Sequence, residues 1–211
     1  MNTPILDFHT HRMDAPEALI AVDPRQFDPL PGRYYSVGFH PWLELDRLTG
    51  TDFTLLEQCA RHPQVIAIGE TGMDRLRGAA LNIQASVFAR HLQLAHDVDM
   101  PVVVHCVRAS QDILDLRRSI GLTTVPIAIH GMRGNQHVAN TLLEAGCYLS
   151  YGARFNPEAL MTTPLERLLI ETDDASTTID DVAIHVAQTL GTTAGHIKEI
   201  AAGNAQRLLM K

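Results

Sequence analysis

Eight short apolar runs, most of them separated by stretches with helical spacing, limit the folds open to this chain. The runs are Ile5–His9, Ala18–Val22, Tyr34–Phe39, Val65–Glu70, Pro101–Cys106, Pro126–His130, Cys147–Tyr151 and Leu168–Asp173. Helix-like stretches cover residues 44–62, 80–99, 110–120, 135–146, 179–191 and 193–209. In the second of these, Val87, Leu92, Leu94 and Ala95 contribute to an apolar stripe at helical spacing. Asn135 is placed to cap the start of the fourth and Gly146 to close its end. Strands alternating with helices predict a mainly parallel α/β sheet, and eight of them predict a (β/α)8 TIM-type barrel, with a doubly wound sheet as the alternative. Only "RMDAPE" separates the first two runs, and the proline-rich "DPRQFDPLPGR" separates the second from the third. Neither holds a full helix, so the first two helices are expected to be reduced or missing. No internal repeat or linker divides residues 1–211, which read as a single domain.

The ends of these runs carry a second pattern. In "ILDFHTH", alternation puts Asp7, His9 and His11 on one face, a costly convergence to bury unless something binds it. "VIAIGE" ends in Glu70, "PVVVHC" carries His105, "PIAIH" ends in His130, and "LLIETD" ends in Asp173, which shares a face with Glu171. In a β/α barrel these ends open on one rim, where active sites of that fold sit. Four imidazoles and two carboxylates suffice for two divalent ions sharing a bridging ligand, because imidazole suits zinc-like ions and carboxylate also accepts harder ones. His40, in "VGFHPW", lies near the same rim, either contacting substrate or stabilising a turn beside Pro41. Arg108 and Arg133 follow the fifth and sixth runs and are candidate phosphate holders, as are Arg12, Arg75, Arg77 and Arg154, of which at least half read as solvated loop residues. His62, His91, His96, His137, His185 and His196 fall in helical stretches or at their edges, where solvated positions explain them.

The formal charge of −7 argues against broad electrostatic coating of nucleic acid but leaves a nuclease open, because bound divalent ions are not in the count. Of the basic side chains only Lys198 and Lys211 are lysine, a bias that suits phosphate and also follows from a GC-rich genome. No run approaches the ~18 apolar residues of a membrane span, no basic-then-apolar leader opens the chain, and Cys59, Cys106 and Cys147 show no paired spacing. A reducing, cytoplasmic location and no membrane partner are expected. Gly-rich phosphate loops and Ser-centred nucleophile elbows are absent.

"DFHTH", "GFHPW", "GETGMD", "VVVHCVRAS", "IHGMRG", "IETDDAS" and "GNAQRLL" occur in that order. Together they resemble the signature stretches of the TatD family of metal-dependent deoxyribonucleases, within the amidohydrolase-like superfamily. The resemblance runs from about residue 5 to 209. It implies a (β/α)8 fold and two divalent ions (Mg2+, Mn2+ or Zn2+). It also implies that His9, His11, Glu70 and Asp173 hold one ion, and Glu70, His105 and His130 the other. DNA, single-stranded or at its 3′ ends, is the implied substrate of a 3′→5′ exonuclease. Apart from the resemblance, a monomer is the default expectation. Arg108 matches the Arg of the family's His-x-x-Arg stretch, and His40 its Gly-x-His-Pro. The chain departs from the pattern in its short first half and in Asp14, one position late. It also departs at Arg75, Met132 and Arg133, and in "ETDDAS", which lacks a proline.

The implied chemistry is phosphodiester hydrolysis by a metal-activated water, with Asp173 accepting its proton and Arg108 offsetting phosphoryl charge. The alternative is an amidohydrolase-type enzyme acting on a small amide, lactone or phosphoester. The absence of a lysine near a strand end favours a Glu-bridged centre over the carboxylated-lysine bridge found in some of those enzymes.

Overall fold

The computed structural model describes residues 4–210. The strands are β1 (Asp7–Thr10), β2 (Ala18–Val22), β3 (Tyr34–Val37), β4 (Val65–Asp74), β5 (Val102–Val107), β6 (Ile127–Ile129), β7 (Tyr148–Tyr151) and β8 (Leu168–Ile170). The helices are α1 (Gly50–Ala60), α2 (Leu81–Asp97), α3 (Ser110–Ser119), α4 (Gln136–Glu144), α5 (Pro157–Thr162), α6 (Ile179–Leu190) and α7 (Ala194–Leu209). The strands form one sheet in chain order from β1 to β8, and the fold is of the (β/α)8 class. Among the described residues no helix joins β1 to β2, and only a 3-10 turn, Pro24–Gln26, lies between β2 and β3. The two reductions expected from the short connections are both present.

Two compact units divide the chain, one taking residues up to Ile20 and from Ala128 onward, the other Ala21–Ile127. Within Ala21–Ile127, β3 pairs with β4 and β4 with β5, all parallel. Val102, Val103 and Val104 are wholly buried, as a parallel strand with helices on its face requires. Helix α2 buries Val87, Leu92, Leu94 and Ala95, the stripe read from the sequence. His91 lies on that stripe too and is wholly buried, so its reading as a solvated residue is corrected. Its Nε2 accepts the Phe39 amide at 3.0 Å and its Nδ1 donates to the Val87 carbonyl at 2.8 Å. Both ring nitrogens are satisfied by the neutral form, and burial pushes the pKa down to about 4.

In the other unit, β6 pairs with β7 and β7 with β8. The first and last strands meet beyond β8, where the Asp173 amide donates to the His9 carbonyl at 2.9 Å. Asn135 caps α4 by accepting from the Val138 amide at 3.0 Å, and Gly146 follows its end with φ of +80°, both as expected. Helix α5 has no counterpart in the sequence reading. It is under two turns long, begun by an Asn156 cap and Pro157, and too short for a periodic signal.

Candidate metal centre

In the unit that carries both termini, β1 and the segment after β8 bring three ligand-type side chains together. His9 Nε2 lies 3.7 Å and His11 Nε2 3.6 Å from the same oxygen, Asp173 Oδ1. These separations are too long for hydrogen bonds. They are close to the ~3–3.5 Å expected between donors bonded to one ion at about 2.0–2.2 Å. His9 is buried and His11 about half exposed, so the trio is reached from solvent on one side. Asp173 adopts φ of +53°, outside the ordinary range for a residue with a side chain, and a parallel bridge to Thr10 holds it there. A second trio joins His130, Glu171 and Asp173. His130 Nδ1 is 3.6 Å from Glu171 Oε1, which accepts the Gly131 amide at 2.6 Å. The rings of His9 and His130 lie 4.1 Å apart between centroids.

Asp7 does not join its neighbours on one face. The pairing of β1 with β2 shifts register between Asp7 and Thr10, which breaks the alternation read from "ILDFHTH". Asp7 instead accepts from the Thr172 amide at 2.8 Å and the Thr172 hydroxyl at 2.6 Å. Burial pushes its pKa up to about 6, partly opposed by those two hydrogen bonds. Thr172 also meets the Thr10 hydroxyl, so these groups brace the β1–Asp173 junction rather than the ligand cluster.

Within Ala21–Ile127 a separate trio forms from His40, Glu70 and His105. His40 Nε2 and His105 Nδ1 each lie 2.8 Å from Glu70 Oε1. The Trp42 amide donates to His40 Nδ1 at 3.1 Å, which leaves the His40 proton on Nε2, facing Glu70. On the far side of its ring, His105 Nε2 is 3.2 Å from Asp74 Oδ2. A carboxylate behind one imidazole nitrogen, turning the other toward the ligand position, is the usual arrangement around metal-binding histidines. Burial raises the Asp74 pKa, but hydrogen bonds from Trp42, the Leu76 amide and His105 outweigh it and hold the carboxyl below its ordinary range. The donor set in both units thus fits divalent ions.

Glu70 is not a strand end, as the sequence reading had it, but lies inside β4, which continues to Asp74. The strand stays paired because Gly69 and Gly72 flank Glu70 at close approaches to β5. A Cβ at Gly69 would lie 2.4 Å from the Val103 carbonyl oxygen, and one at Gly72 2.1 Å from that of His105. The register of β4 on β5 shifts between Ile68 and Thr71, around the glutamate. His130 and Asp173 fall just beyond their strands and His105 within its own.

The arginines divide. Arg75 makes two hydrogen bonds to Asp112, at 2.8 and 2.7 Å, and Arg12 donates to the Thr172 hydroxyl at 3.2 Å, so both have structural partners. Arg108 and Arg133 are exposed in the loops after β5 and β6, and Arg108 has φ of +52°. The sequence reading missed Asp74, although it ends the "GETGMD" stretch, and missed Gln84 altogether.

The family model described as TatD related DNase matches residues 28–210. The chain belongs to the TatD related DNase family. An uncharacterized metal-dependent hydrolase of Bacillus subtilis, YabD, is 29% identical over 196 residues, covering 83% of this chain and 76% of that protein. The 3′-5′ ssDNA/RNA exonuclease TatD of Musicola paradisiaca is 33% identical over 154 residues, covering 68% of this chain and 58% of that protein. The crystal structure of a TatD family hydrolase from Entamoeba histolytica shares the fold, with a TM-score of 0.78 and 16% identity, over 100% of this chain and 99% of that one. This TatD family chain is a metal-dependent hydrolase of the phosphodiester-cleaving type, and the small-molecule amidohydrolase alternative does not fit the match. No helix among its described residues is long and apolar enough to cross a membrane.

Proposed function

We propose that this TatD family hydrolase is a 3′→5′ exonuclease acting on DNA, single-stranded or at 3′ ends, with two divalent ions drawn from Mg2+, Mn2+ and Zn2+. His9, His11, Glu70 and Asp173 would hold one ion, and Glu70, His105 and His130 the other. The reading takes residues 1–211 as one hydrolase domain, working as a monomer in the reducing cytoplasm, where Cys59, Cys106 and Cys147 stay as thiols. The observation that carries it is the convergence of His9 and His11 on one oxygen of Asp173 at distances suited to a shared ion. The relative named a 3′-5′ ssDNA/RNA exonuclease supports nucleic acid as the substrate class.

Divalent ions bound there would supply a water of lowered pKa as nucleophile and positive charge beside the phosphoryl oxygens. Asp173, partly open to solvent, takes the proton of the attacking water. Glu70 is held by His40 and His105, and its carboxylate would be the one common to both ions. His40, Arg108 and Arg133 contact the substrate, the two exposed guanidinium groups pairing with its phosphates.

The test is release of mononucleotides from a 3′-labelled single-stranded DNA oligomer with Mg2+, Mn2+ or Zn2+, with Glu70→Ala and Asp173→Ala beside the wild type. Metal-dependent release that both substitutions abolish is expected. No release from protein shown to hold two ions would overturn DNA as the substrate.

A further inference from the structure

We propose that Trp42 and Arg77 form a stacking platform for a nucleobase, beside the imidazoles that flank Glu70; the proposal rests on the nuclease reading and names a subsite within it. Trp42 is 44% exposed, a large fraction for an aromatic ring in a chain with a well-filled core. The ring is nonetheless fixed. Its Nε1–H donates to Asp74 Oδ2 at 2.7 Å, and its centroid lies 4.8 Å from that of His40 and 5.3 Å from that of His105. Arg77 places its guanidinium 4.0 Å above the ring centroid.

The loop that presents Arg77 is built rather than loose. The buried Gln84 amide donates to three of its carbonyls, Asp74 at 3.0 Å, Arg77 at 3.1 Å and Ala79 at 2.7 Å. The loop also presses on the segment carrying Trp42, because a Cβ at Gly78 would lie 2.1 Å from the Pro41 carbonyl oxygen. Arg75 in the same loop is taken by Asp112, so Arg77 is the guanidinium turned to the ring.

An exposed, oriented indole with a guanidinium over one of its faces is a composite surface on which nucleobases stack, whatever their sequence. Because the ring edges His40 and His105, a nucleotide whose phosphate lies near Glu70 brings its base over Trp42. The platform therefore holds the terminal nucleotide by its base, without reading which base it is.

Trp42 is the only tryptophan in the chain, so its emission reports the contact directly. The experiment titrates the metal-loaded protein with dTMP and, separately, with 2-deoxyribose 5-phosphate, which has the sugar and phosphate but no base. Saturable quenching by dTMP is expected at concentrations roughly 5- to 150-fold below those needed for the sugar phosphate, the span that base stacking gives. With single-stranded DNA, Trp42→Ala is expected to raise KM by a similar factor with a smaller effect on kcat, and Trp42→Phe to recover part of the loss. An emission unchanged by dTMP, or equal effects of the two ligands, would overturn the platform. Absence of quenching beside intact nuclease activity removes the platform alone; quenching without nuclease activity keeps a nucleotide subsite and removes the DNA exonuclease reading.

Discussion

Gln84 on α2 and Asp74 at the end of β4 are joined through the main chain of Asp74 by two hydrogen bonds. The Asp74 amide donates to Gln84 Oε1 at 2.7 Å, and Gln84 Nε2 donates back to the Asp74 carbonyl at 3.0 Å. One buried amide thereby orients the segment whose carboxylate backs His105. Gln84→Glu keeps the acceptor but removes the donor to three carbonyls and turns a negative oxygen toward them. The substitution is expected to cost about 3 kcal/mol, measured by urea unfolding, because buried polar groups left without partners cost ~1–3 kcal/mol each and part of the loop relaxes.

His91 predicts a pH dependence. Its pKa in the fold is about 4, against an ordinary value of 6.5, so the folded state favours the neutral ring. The stabilising contribution is complete above pH 6.5 and is lost as the pH falls from 6.5 toward 4, by ~3 kcal/mol in all. His91→Leu leaves the Phe39 amide without its acceptor and is less stable at pH 7. The difference between wild type and variant, measured by urea unfolding, is expected to narrow through that window. A constant difference from pH 7 to pH 4.5 would count against the neutral, buried ring.

These two residues also show where the sequence is legible and where it is not. Gln84, Val87, Phe88, His91, Leu92 and Ala95 share one helical face, and all are buried. The apolar members announce that face, whereas Gln84 and His91 break its pattern, and nothing local says which partners satisfy them: Asp74 in one case, Phe39 in the other. The eight strands and the reduced first helices follow from short-range patterning, and so does the set of ligand-type residues. The parity of Asp7 and the length of β4 do not, since both depend on register shifts fixed by neighbouring strands. Helix α5 is legible only as a cap signal at Asn156, too brief to stand out.

Gly72 marks the tightest contact near Glu70. With φ of +142° and a would-be Cβ 2.1 Å from the His105 carbonyl oxygen, it has room for no side chain. Gly72→Ala must separate β4 from β5 or bend the chain, and a loss above ~4 kcal/mol is expected, seen as poor soluble yield or a collapsed thermal transition. Gly121 makes the comparison, because it also has positive φ, +72°, but nothing stands within 4 Å of its would-be Cβ. Gly121→Ala should cost only about 1 kcal/mol, the backbone part alone.

Metal binding should stabilise the fold through the trio of His9, His11 and Asp173. A ligand that binds only the folded state adds about 2.7 kcal/mol at a hundredfold excess over its Kd, which for a chain of this size raises Tm by roughly 5–10 °C. His11→Ala is the informative variant, since the side chain is half exposed and its removal opens no cavity in the core, whereas His9 is fully buried. Metal-stripped wild type and His11→Ala should melt close together, and Zn2+ or Mn2+ should raise the wild type by several degrees more than the variant. Differential scanning calorimetry of the four samples measures this. If the ion shifted both proteins equally, His11 would not be a ligand; if it shifted neither, the convergence on Asp173 would not be a metal site.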